Sequence, residues 1–98
     1  MSNSTVTHNQ TASRFELTID GHTGVAEYVD QGSVWAMNHT YVPDELRGQG
    51  VAARLVEAAL AAARQAGVKI DPQCSYVDVY LQRHPEHHDL RSAAKPNS

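Results

Sequence analysis

The hydrophobic period changes across Pro43-Asp44-Glu45-Leu46-Arg47-Gly48-Gln49-Gly50-Val51-Ala52. Before this segment, Val34 to Val42 reads as a strand closed by Pro43. Trp35, Met37, His39 and Tyr41 alternate onto one face; Ala36, Asn38 and Thr40 take the other. The middle of the strand is apolar enough to be buried on both faces. After the segment, Val51, Leu55, Ala59 and Ala63 recur at helical spacing, joined by Ala52, Val56 and Leu60. Arg54, Glu57, Arg64 and Gln65 fall on the opposite side. The many alanines favour a helix to Ala66, which Gly67 ends as a C-terminal cap. Val68-Lys69-Ile70 is then a short strand stopped by Pro72. Strand, helix and strand in this length make a βαβ crossover, so strands 34–42 and 68–71 are expected to be parallel.

Further out, Phe15 to Asp20 alternates apolar and polar, as a half-buried strand does. Gly21 to Gly24 reads as a turn and Val25 to Val29 as the second arm of a hairpin. Asp30 to Ser33 is another turn. Ser75-Tyr76-Val77-Asp78 fits a capping box with Ser75 as the cap, opening a short helix to about Arg83 before Pro85. The expected class is α/β: an antiparallel meander, one βαβ unit and a short C-terminal helix. Residues 1–13 and 92–98 are expected to be flexible tails around a domain spanning 14–91, since they offer little to bury.

The chain has 98 residues, room for one core. It has 41% hydrophobic and 19% charged residues, which excludes disorder over the whole length. No apolar run reaches the roughly 20 residues of a membrane helix, and the polar N-terminus is unlike a signal peptide. A net charge of -3 argues against nucleic acid as a partner. The single cysteine excludes an internal disulfide and fits a reducing cytoplasm.

Gly48 and Gly50 let backbone approach a ligand without a Cβ clash, and the following helix start points free amides outward. A phosphate or pyrophosphate suits that place. No Gly-Lys-Ser/Thr follows, so the loop is not a P-loop, and two glycines do not make the dinucleotide fingerprint. Alternatively it is a glycine-containing turn that binds nothing.

Arg47-x-x-Gly50-x-Ala52, between a strand ending in Val-Pro and an apolar helix, resembles the coenzyme A pyrophosphate motif of the GCN5-related N-acetyltransferases (GNAT). His39-Thr40-x-Val42-Pro43, Pro72-x-Cys74-Ser75-Tyr76 and Tyr80-Leu81-x-Arg83-His84-Pro85-Glu86 extend the resemblance to the small YjdJ-type branch, over about residues 15–90. The resemblance implies a compact GNAT-like mixed sheet that binds acetyl-CoA as cosubstrate. Backbone from Arg47, Gly48, Gln49, Gly50, Val51 and Ala52 holds the pyrophosphate, and the pantetheine arm lies between strands 34–42 and 68–71. The implied activity is acetyl transfer to an unidentified amine or other small nucleophile, on a small molecule or a protein. This branch lacks most of the N-terminal helices that shape an acceptor pocket. The alternative is therefore a non-catalytic acyl-CoA-binding or sensing module. Monomer and homodimer both remain open.

Four side chains are catalytic candidates. Cys74 lies near a helix start, where a thiol's pKa falls; otherwise it is a small buried hydrophobe. His39, compared with the branch's strand histidine, is a base or thiol activator, or a satisfied core group. Its pairing with Cys74 depends on the fold. Tyr76 and Tyr80 share a helix face; the resemblance implies that one of them is the general acid to the leaving thiolate, the alternative being that both are core. Glu27 on the second strand has only its position to recommend it as a base. Asp44 and Glu45 read as solvated. His84 and His88 would share a helical face were it not for Pro85, and no metal site is expected.

Overall fold

A computed structural model describes residues 5–92. Five strands form one sheet: β1 (Thr7–Asn9), β2 (Arg14–Ile19), β3 (His22–Asp30), β4 (Val34–Tyr41) and β5 (Lys69–Pro72). Helix α1 (Val51–Ala66) connects β4 to β5, and α2 (Ser75–Arg83) follows β5. Sheet order repeats chain order, antiparallel from β1 to β4 and parallel between β4 and β5. The mixed α/β architecture and the crossover read from the sequence are therefore present.

The first hairpin turns at Asp20 and Gly21, with φ of 52° and 80°. Two left-handed residues match the strands' twist, so Ile19 pairs directly with His22. Gly24 therefore belongs to β3 rather than to a turn. Its hydrogen faces α1: a Cβ there would come 2.9 Å from Val51 Cγ1 and 3.3 Å from the Tyr41 carbonyl oxygen. The glycine serves close packing of the helix onto the sheet.

β4 carries an irregularity that its alternation conceals. Glu27 pairs with His39 but Tyr28 pairs with Met37, so Asn38 is the extra residue of a bulge. Thr40 lies opposite the buried Ala26 and shares its face, with Trp35 and Met37. His39 and Tyr41 turn to the other face. Only Trp35, Ala36 and Met37 are buried along β4; Asn38 and His39 are exposed.

α1 buries Val51, Leu55, Val56, Ala59, Leu60 and Ala63. These join Phe15, Leu17, Tyr28 and Met37 from the sheet and Val77, Tyr80 and Leu81 from α2 in one core. Among the described residues no helix covers the other sheet face, where Val29 is 48% and Tyr41 53% exposed.

Two expectations fail at the domain's ends. Residues 7–9, expected as tail, form β1 because His8 brings a flat ring to bury: it stacks on Phe15 at 4.1 Å. Ser92, also assigned to a tail, donates its N–H to the Ile70 carbonyl at 2.7 Å. Tail positions 1–4 and 93–98 lie outside the described residues. The capping box does not form either. Helix α2 begins one residue early with Cys74 as its N-cap, and Asp78 instead meets Arg91 at 2.9 Å.

Candidate functional site

A one-turn 3-10 helix, Asp44–Leu46, is anchored by the buried Leu46. Arg47 is extended, Gly48 has φ 83°, and Gly50, the α1 N-cap, sits left-handed at φ 73° and ψ 21°. No side chain caps α1 and no acid lies in its first turn. The free amides there favour an anion. Val42, Leu46, Arg47, Gly50, Val51 and Tyr76 surround a cavity of about 300 Å³ at this point. Arg47 meets Asp44 at 3.2 Å, with both side chains largely exposed, so the pair is weak and easily exchanged for a ligand. Gln49 turns its amide back onto the Glu45 carbonyl at 3.3 Å. A second cavity of about 320 Å³ shares Ala53 and Tyr76 with the first and runs between α1 and α2 past Arg83 and His84.

β4 and β5 pair as far as Met37 and Pro72. The Met37 carbonyl then accepts two N–H groups, from Gln73 at 3.0 Å and Cys74 at 2.9 Å, and ladder pairing stops. Bulge and splay thus coincide beside Cys74. The thiol lies 3.6 Å from Thr40 Oγ1, to which it donates. Burial pushes the Cys74 thiol up, but the Thr40 hydroxyl and the amides of Val77, Tyr76 and Thr40 outweigh it, leaving its pKa below the ordinary value. Thr40, not His39, is the partner of Cys74. The bulge puts His39 on the opposite sheet face, beside Glu27. No sequence signal marked Thr40, because its orientation depends on the bulge.

Cys74 alkylation is therefore expected to show a pH midpoint below the roughly 8.5 of a free thiol. Thr40→Val should raise that midpoint, and His39→Ala should leave it unmoved. The reverse pattern, read by timed alkylation across pH, would restore the cysteine–histidine pair.

The two tyrosines have separate surroundings. Tyr76 is 39% exposed and borders both cavities; burial raises its pKa. Tyr80 is buried and donates its hydroxyl to Glu57 Oε2 at 2.5 Å. Burial, then Glu57, raises the Tyr80 pKa strongly, so the phenol stays protonated and committed to that carboxylate. Burial pushes the Glu57 carboxyl up, but its bonds to Tyr80 and His87 outweigh that and its pKa is lowered. Glu57 sits on the helix side that reads as solvated; only the position of α2 makes it a partner.

The histidines beyond α2 are each engaged. His84 stacks on Tyr80 at 3.9 Å and its Nδ1 meets the Tyr80 carbonyl at 2.7 Å; His88 Nε2 meets the Leu81 carbonyl at 2.9 Å. Glu57, Glu86 and His87 bring three potential metal-ligand atoms within 4.8 Å of one another. Arg64 lies 3.4 Å from His87 Nδ1, which favours the proton on Nε2 facing Glu57 at 3.2 Å. That tautomer occupies the nitrogen a metal would need.

Residues 14–90 match the sequence pattern of the family described as GCN5-related N-acetyl-transferase. Over 84 residues the chain is 31% identical to protein NATD1 of Xenopus tropicalis and 32% to protein NATD1 of Mus musculus. Each alignment covers 82% of this chain and 76% of the relative. The solution structure of a GCN5-like candidate N-acetyltransferase from Staphylococcus aureus is similar at a TM-score of 0.73 and 26% identity, over 97% of this chain and 94% of that one.

Proposed function

The chain belongs to the GCN5-related N-acetyltransferases, and on that premise we propose that it binds acetyl-CoA and transfers the acetyl group to an amine. The observation that carries the reading is the uncapped start of α1 beside left-handed Gly48 and Gly50, open to a cavity bordered by Val42 and Tyr76. The pyrophosphate is assigned to the amides of the 47–52 loop, with Arg47 exchanging Asp44 for it. The thioester is assigned to the splay beside Cys74 and Thr40.

The amine attacks the thioester carbonyl, its nitrogen gives up a proton to water, and the carbon–sulfur bond breaks as the tetrahedral intermediate collapses. The oxyanion is assigned to a backbone amide of β4 near the bulge at Asn38. Tyr76, whose ring borders the cavity and whose hydroxyl is not held by Glu57, is the better acid toward the departing thiolate. Tyr80 is held away by Glu57. Cys74 is the alternative acyl carrier, its thiolate attacking the thioester and releasing CoA before the amine takes the acetyl group.

No helix among the described residues is long and apolar enough to cross a membrane. The free Cys74 suits a reducing compartment, and we assign the chain to the cytoplasm on that ground.

The open sheet face favours a second reading, a non-catalytic acyl-CoA-binding module, because among the described residues no helix there shapes an acceptor pocket. Intact mass after incubation with acetyl-CoA, together with CoA release in the presence of primary amines, separates the two. Retained ligand with amine-dependent CoA release supports transfer. Retained ligand without release supports the module, and no retained ligand overturns both.

A further inference from the structure

A cavity of about 420 Å³ at the other end of α1 plays no part in that reading. Its walls come from His8, Tyr28, Asp30 and Trp35 of the sheet side and Ala62 and Gln65 of α1. At about 1.5 Å rise per residue, Gln65 lies roughly 20 Å along the helix from Val51, so the two cavities are separate.

Two features distinguish this place from a packing gap. The first is an aromatic wall. Tyr28 and Trp35 stack with centroids 4.6 Å apart, and the His8 ring stands edge-on to Trp35 at 5.5 Å.

The second is an uncompensated charge. Asp30 Oδ1 accepts the Gly32 N–H at 2.9 Å, but the carboxylate has no cationic partner among the described residues. Its charge reaches the wall, since the Tyr28 pKa is raised by burial first and by Asp30 second. Burial lowers the His8 pKa, so near neutral pH that ring is uncharged, and it meets the Tyr28 hydroxyl at 2.6 Å. No arginine or lysine borders the cavity. Electron-rich rings beside a single negative charge attract an organic cation.

We infer that this cavity is a second ligand site, selective for a small planar amine, its ring against the aromatic wall and its ammonium toward Asp30. The site is independent of the 47–52 loop.

Trp35 is the chain's one tryptophan, so its fluorescence reports on this cavity directly. The test titrates the full chain with histamine, without acetyl-CoA, beside histaminol, which replaces the ammonium by a hydroxyl. Histamine should give a saturable change, and histaminol should bind about tenfold more weakly. Asp30→Asn keeps an oxygen for Gly32 and should bring the two ligands within about twofold of each other. Ala62→Leu should abolish saturation while acetyl-CoA affinity and the melting transition stay unchanged. Gly50→Val should leave histamine binding intact, which separates this site from the acetyl-CoA reading. A linear response, equal affinity for the two probes, or loss of histamine binding in Gly50→Val would overturn the inference.

Discussion

Gly50→Val is expected to lower acetyl-CoA affinity by about tenfold or more, in a chain that still folds. The effect does not come from a clash within the protein, since a Cβ at Gly50 meets nothing within 4 Å. It comes from the backbone. Gly50 caps α1 at φ 73°, where a β-branched residue is strained by about 1–2 kcal/mol. The loop can keep its shape and lose that stability, or relax and redirect the first amides of α1. In both cases the new side chain projects into the open space where a pyrophosphate would lie. Isothermal titration with acetyl-CoA checks the affinity, and a thermal melt checks the fold. A folded variant with affinity within about twofold of the parent would remove the loop from the binding site.

Leu55→Ala is expected to be the most damaging single truncation for stability. Leu55 is fully buried at the contact between α1 and the sheet, with Cδ1 3.4 Å from where a Gly24 Cβ would be. Removing a buried leucine side chain costs about 2–5 kcal/mol, depending on how far the site collapses. In a domain of this size each kcal/mol lowers the melting temperature by about 4–8 °C, so a fall of 10 °C or more should be measured. Collapse here is restricted, because the helix already touches strand backbone at Gly24. A shift of only a few degrees would mean that α1 does not pack on β3 as described.

Helix α1 and its crossover are legible in the sequence because their signals are local. A change of period, an alanine-rich face and a capping Gly67 lie within one stretch of chain. The loop at Gly48 and Gly50 is legible for the same reason, since its chemistry belongs to backbone that glycine alone frees. The Asp20–Gly21 turn was equally local, but Gly24 drew the turn assignment three residues too far. Its real constraint, the approach of Val51, is tertiary. The bulge at Asn38 left no mark, because an inserted residue changes facing without changing composition. That single residue decides which of His39 and Thr40 meets Cys74. Tyr80 and Glu57 are 23 residues apart, and only the docking of α2 on α1 brings them together.

Sheet order that repeats chain order also bears on how the domain assembles. Strands β2, β3 and β4 each add beside the one made just before, across a short connection, so early contacts close small loops and hairpins form within about 1–10 μs. The long closure is the crossover that returns the chain from Tyr41 to Lys69 beside β4. The entropic barrier therefore falls chiefly on seating α1 against a preformed meander, which places the nucleus in the helix and β3. Losses in α1, such as Leu55, should slow refolding, whereas losses in the peripheral β1 should mainly hasten unfolding.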